Sequence, residues 1–170
     1  METYKIKTDL LGEIELSKDD GIYEDLDIII DSEKRTISFF VHENFLDDNN
    51  IKIVENYIHH IPEMHKKAKT AISEGKYSNG MICNFIESNI DDIEGLDWTD
   101  EFFSITSNDK ISIDMVAEKL EIRGICIYPD KEKDIISCYF DFSLPEEYTD
   151  ELLVFYFDEQ YEIYCISHES

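Results

Sequence analysis

The first forty residues alternate between apolar and polar positions. "YKIKT" (4–8) is followed by "LGEIEL" (11–16) across Gly12. In "IYEDLDIIID" (22–31), Leu26, Ile28 and Ile30 fall on one face against Asp25 and Asp27 on the other. "TISFFVHE" (36–43) sets Ile37, Phe39 and Val41 against Thr36, Ser38 and Phe40. A period of two with one apolar face predicts strands of an antiparallel sheet half-covered by other structure. "SEKR" (32–35) reads as the turn between the last two strands.

The period then changes. Ile51, Val54, Ile58 and Ile61 recur at helical spacing, with Asp47 to Asn50 as capping candidates. Pro62 predicts a kink or restart. A second helical stretch continues from 63 to 74 through Ala68, Ala71 and Ile72, and ends at Gly75. A further helix follows, with Ile82, Phe85, Ile86 and Ile90 inward. Ser112 is placed to cap a short helix over 113–120. Residues 95–111, around Trp98, have no clear period.

Alternation returns in the last third. "EIRGICIY" (121–128) reads as a strand ending before Pro129, and "YPDKEKD" as a hairpin loop. In "IISCYFDFS" (135–143), Ile136, Cys138, Phe140 and Phe142 oppose Ser137, Tyr139 and Asp141. The terminal stretch, 150–170, predicts a β-hairpin whose first strand is apolar on both faces: Leu153, Phe155 and Phe157 against Leu152, Val154 and Tyr156. Such a strand belongs inside a sheet with both faces covered. Helices supply one cover; the connection around Trp98, a second subunit or a partner supplies the other. No linker or internal repeat divides the chain, so residues 1–170 read as one α+β domain. The expected architecture is a two-layer sandwich, a mainly antiparallel sheet with helices packed on one face.

Charge changes this picture most. The formal net charge is −25, and no lysine or arginine follows Lys133. That balance disfavours nucleic acid and anionic lipid, which require basic patches. It suits a basic partner, because opposite charge accelerates encounter and rejects wrong partners. The basic run Lys66, Lys67, Lys69 is short and acid-flanked, and reads as a solvated helix face. The N-terminus has neither the basic nor the apolar segment of a leader, and no run reaches the length of a membrane span; a cytoplasmic protein is expected. Cys83, Cys126, Cys138 and Cys165 form no C-x-x-C pair and read as small buried hydrophobes in a reducing compartment.

Candidate chemistry is sparse. His59, His60 and His65, with Glu55 or Glu63, invite a metal reading. Adjacent histidines on a helix diverge by about 100°, however, and H-E-x-x-H spacing is absent. Exposed helix-end histidines are the simpler assignment. No G-x-S-x-G elbow or glycine-rich phosphate loop occurs. No catalytic residue, cofactor or metal is assigned. The alternative to a binding protein is a hydrolase using a carboxylate pair or a His59/His65 metal site. One constellation invites a binding role: Tyr139, Asp141, Tyr156 and Tyr164 can share the sheet face opposite the helices. Tyrosines rimmed by acids suit a protein-binding surface, and equally describe a half-buried aromatic sheet face.

The C-terminal third resembles a known family. "GICIYPD" and "YFDFSLPEEYTDELLVFYFDEQYEIYCISHES" are similar to the bacterial domain-of-unknown-function family 2004. The carriers are Tyr128-Pro129, Tyr148-Thr149-Asp150, Leu152-Leu153-Val154, Phe157-Asp158-Glu159 and Glu169-Ser170. "LGEIEL" is similar to the family's opening. A glycine is expected in the last turn, where this chain has Gln160-Tyr161. The resemblance implies a two-layer α/β sandwich and no activity. By analogy with small acidic immunity proteins, the partner expected is a basic toxin; a second copy of the chain is the other candidate.

Overall fold

The computed structural model describes residues 3–8, 11–17, 22–30, 32–41, 50–106, 108–145 and 148–170. Two sheets and one helical layer result. A small hairpin pairs β1 (Thr3–Thr8) with β2 (Gly12–Ser17). Its register sets Ile6 opposite Ile14, both buried, while Lys5 meets Glu13 at 3.3 Å on the exposed side.

The main sheet has six strands in chain order: β3 (Ile22–Ile30), β4 (Glu33–Val41), β5 (Glu121–Asp130), β6 (Ile135–Ser143), β7 (Leu152–Phe157) and β8 (Ile163–Glu169). Every neighbouring pair is antiparallel except β4–β5, which is parallel. That pair brackets all four helices, as a parallel connection requires a crossover. The sheet is therefore a hairpin and a four-stranded meander joined by a helical excursion, which makes the α+β sandwich expected from element order.

Two strands run further than their patterns suggest. "EKR" belongs to β4, because Ile30 pairs directly with Glu33 and Ser32 takes the positive φ of a tight hairpin turn. β5 continues through Pro129 to Asp130. Its parallel partner β4 ends opposite Ile127, so Pro129 lies where β5 has a neighbour on one side only. A missing N–H costs nothing on an unpaired edge.

The helices are α1 (Asn50–Gly75), α2 (Gly80–Ile93), α3 (Thr99–Phe103) and α4 (Ile113–Lys119). α1 is one helix of 26 residues running straight through Pro62, so the expected break does not occur. Pro62 is exposed, so its ring lies on the solvent side and leaves the buried stripe of the helix intact. The inward stripe Val54, Tyr57, Ile58, Ile61, Met64, Ala68 and Ile72 is fully buried without interruption. Asn79 caps α2, accepting from the N–H groups of Met81 and Ile82 at 3.0 and 3.3 Å. Ser112 caps α4 through the Met115 N–H at 3.3 Å. Of the capping set expected at the start of α1, residues 47–49 lie outside the described residues.

Among the described residues, the side-chain contacts between helices and the main sheet named below fall on one side. Tyr57 of α1 donates to the Ile136 carbonyl of β6 at 2.8 Å, and His65 stacks on Phe142 at 5.7 Å. Phe85 of α2 meets His168 of β8 edge-on at 5.1 Å, over the side occupied by Leu153. The Trp98 segment joins this same layer. Trp98 stacks on Tyr148 at 3.9 Å, Thr99 donates to the Ile93 carbonyl of α2, and Lys119 of α4 lies over the Phe102 ring. It does not cover the second sheet face. No helix among the described residues is long and apolar enough to cross a membrane.

Candidate functional site

β7 is an interior strand, with β6 on one side and β8 on the other. Leu153, Phe155 and Phe157 are fully buried beneath the helices. Val154, on the opposite face, is only 1 % exposed although none of the described helices lies over it.

That face is a lattice of cross-strand rows. Cys126, Tyr139 and Tyr156 stand side by side on β5, β6 and β7; the next row along is Gly124, Asp141, Val154 and Ser167. The four residues singled out in sequence come together. Tyr139 and Tyr156 rings are 5.7 Å apart, and Tyr156 and Tyr164 rings 6.2 Å apart. Asp141 is one row from Tyr139 along β6, and diagonal to Tyr156. Tyr164 reaches the group by a bulge: Tyr156 pairs with Cys165 but Phe157 pairs with Ile163, so Tyr164 is the extra residue. Bulges re-aim side chains in this way. Its hydroxyl meets Ser137 Oγ at 2.8 Å and donates to Asp130 Oδ2 at 3.2 Å.

Other members escaped the sequence reading. Tyr128 lies 5.5 Å from the Tyr139 ring, placed there by pairing opposite Ser137. Its parity with Cys126, two positions back on the strand expected over 121–128, is the signal that points to it. Tyr156 donates to Glu169 Oε1 at 2.6 Å, and Ser167 donates to the same oxygen at 2.8 Å. Gly124 has the most specific role. A Cβ there would stand 2.8 Å from Asp141 Oδ2, so only glycine leaves room for that carboxylate to lie across β5. A second bulge, between Ile122 and Gly124, brings Gly124 opposite Asp141.

The electrostatics follow from burial. The Asp141 carboxyl is pushed up to about 6, first by burial and then by the charge of Glu169. Among the described residues no cation and no hydrogen-bond donor pairs with it. Burial raises the Tyr139 and Tyr164 hydroxyls well above the usual phenol range. Tyr156 is pushed up to about 12, by burial and then by its bond to Glu169. Burial also lifts the Cys126 thiol to about 12 and holds the Cys138 thiol well above the ordinary thiol range. These thiols are un-ionised at neutral pH and poor nucleophiles. The face thus offers aromatic surface, neutral hydroxyls and carboxylate charge.

The histidines do not converge. His59 is exposed; His60 stacks on Tyr161 at 3.8 Å; His65 is buried against Phe142. On a continuous helix, positions six apart point to different sides, so His59 and His65 cannot share a ligand. His65 is thus a mid-helix core residue, not an exposed helix-end one. Nor are all the cysteines buried, since Cys165 is exposed on β8. The basic run is structural too. Lys67 bonds Glu63 and Glu162 at 2.8 Å each and the Tyr161 carbonyl at 2.9 Å, and Lys69 reaches the Leu120 carbonyl at 3.0 Å.

The comparisons add nothing to this geometry: no protein-family model, curated protein or solved structure matches the chain.

Proposed function

We propose that this protein acts by binding another protein through the open face of β5–β8, and that the partner is basic. The observation that carries this reading is the half-buried row of Tyr128, Tyr139, Tyr156 and Tyr164 around Asp141, on a sheet face over which no described helix lies. Tyrosine supplies contact area and a hydroxyl at low entropic cost, which is why it concentrates at interfaces. The net charge of −25 selects the partner's sign. It also opposes a homodimer through this face, since two copies would bring like charges together. A basic toxin held inactive by an acidic, immunity-type protein is the most specific form of the reading.

A hydrolase is the second reading, favoured by one observation: Asp141, held near 6 beside Glu169, has the proton affinity of a general acid. Against it, Glu169 is already engaged by Tyr156 and Ser167.

The test is capture from native lysate at low and high salt, with wild type and a Tyr139→Ala/Tyr156→Ala variant side by side. The binding reading expects a basic protein retained by wild type alone and released by salt. Identical retention by both chains contradicts it.

A further inference from the structure

The open face already seats one cation of its own. Lys133 Nζ lies 3.9 Å from the Tyr164 ring centroid and 3.7 Å from Asp130 Oδ2. A positive charge is held there between an aromatic face and a carboxylate, the arrangement that makes cation–π recognition effective. One step across the sheet the same parts recur: the Tyr139 and Tyr156 rings, 5.7 Å apart, with Asp141 beside them. Among the described residues no lysine or arginine pairs with this second set. None follows Lys133 in the sequence, so β6, β7 and β8 supply none, and Arg123 of β5, in the bulge opposite Asp141, lies against Glu121 at 3.8 Å.

The site is also shaped. Gly124 fixes where the Asp141 carboxylate lies, because its Oδ2 takes the place over β5 that a side chain would fill. Ser38 of β4 continues the same row, so small residues flank the acid on that side. Val154, directly opposite Asp141 on β7, gives an apolar floor, and Glu169 and Asp25 add negative charge at the two ends of the face.

We propose that the Tyr139–Asp141–Tyr156 set is the seat for a single arginine side chain of the basic partner, its guanidinium plane lying on the tyrosine rings and its N–H groups pairing with Asp141. Arginine is preferred over lysine on three grounds. It is planar and stacks on rings; its fork matches a carboxylate in two-point geometry; and it is more weakly hydrated, so half-burial is less costly. The inference deepens the binding function above and rests on it.

The test uses two tripeptides, acetyl-Gly-Arg-Gly-amide and acetyl-Gly-Lys-Gly-amide, titrated into the full chain at pH 7.5 while tyrosine ring signals are followed by NMR. The arginine peptide is expected to shift the Tyr139 and Tyr156 rings saturably, and the lysine peptide to bind several-fold more weakly. Asp141→Asn should weaken the arginine peptide by about tenfold, the loss of a charge-assisted two-point bond. Tyr156→Leu should weaken it too, and unchanged signals at the Phe85–His168 contact report that both variants are folded. Equal shifts from both peptides, insensitive to Asp141→Asn, overturn the arginine seat. If salt-sensitive, face-dependent capture of a basic partner persists in that case, only the seat is lost. If capture fails as well, the binding function falls with it.

Discussion

At the scale of single residues, Asp141 is held against its own stability. Its carboxyl ionises near 6 in the folded chain against about 3.8 in a free chain. The folded state therefore binds the proton more tightly than the unfolded state does. Stability from this group is full where the carboxyl is protonated and falls as pH rises from about 4 to 6. Asp141→Asn should thus be more stable than wild type at pH 7.5, by on the order of 1–3 kcal/mol, with the gap narrowing at pH 5.2. Urea unfolding at both values measures it. A gap that is absent, or that widens on acidification, contradicts the burial assigned here. A group that weakens the fold and still occupies a space left for it by Gly124 fits the binding role proposed for this face. Tyr161 is strained in another way. It stands at φ 62 in the β7–β8 turn, where a glycine would be expected. Asp158 builds that turn by accepting from the N–H groups of Gln160 and Glu162 at 2.9 Å each. The Tyr161 ring then stacks on His60 and meets Tyr57 edge-on at 5.5 Å. Packing against α1 holds a left-handed conformation that a bulky residue rarely adopts.

At the scale of elements, α1 is the spine of the helical layer, and Pro62 is its weak point. Pro62→Ala restores one backbone hydrogen bond in a helix interior and should raise stability by about 1–3 kcal/mol, moving the thermal midpoint up by several degrees. A fall in the midpoint would show that the ring fixes the helix's course over the sheet. The same elements show what the chain's pattern makes legible. Strands β3, β4, β6 and β7 follow directly from alternation, because side chains in a sheet have a period of two and one face is buried. Tyr139, Asp141 and Tyr156 follow from the same parity. Tyr164, expected on the same face, reaches it only through a bulge, which changes parity without any local signature. Gly124 does not follow from parity, because its meaning depends on a carboxylate seventeen positions away. The unbroken α1 and the buried His65 were missed for a common reason: a strong continuous apolar stripe outweighs a proline on the solvent side, and a histidine's ring packs well on Phe142.

At the scale of the whole molecule, one layer of helices covers one face of a six-stranded sheet, and the second face carries tyrosines and acid. The doubly apolar β7 owes its character to that asymmetry. Its helix-facing side is core, and its other side is the floor of an aromatic surface. The central claim is that this second face is open in the isolated protein and available to a partner. Hydroxyl-radical footprinting of the free chain, read residue by residue along β7, tests it most directly. The account predicts that Tyr156, with Tyr139 and Tyr164, is modified many times faster than Phe155, Phe157 and Tyr57. Equal protection of Tyr156 and its two phenylalanine neighbours would contradict it, because something within the chain or a second copy would then cover the face.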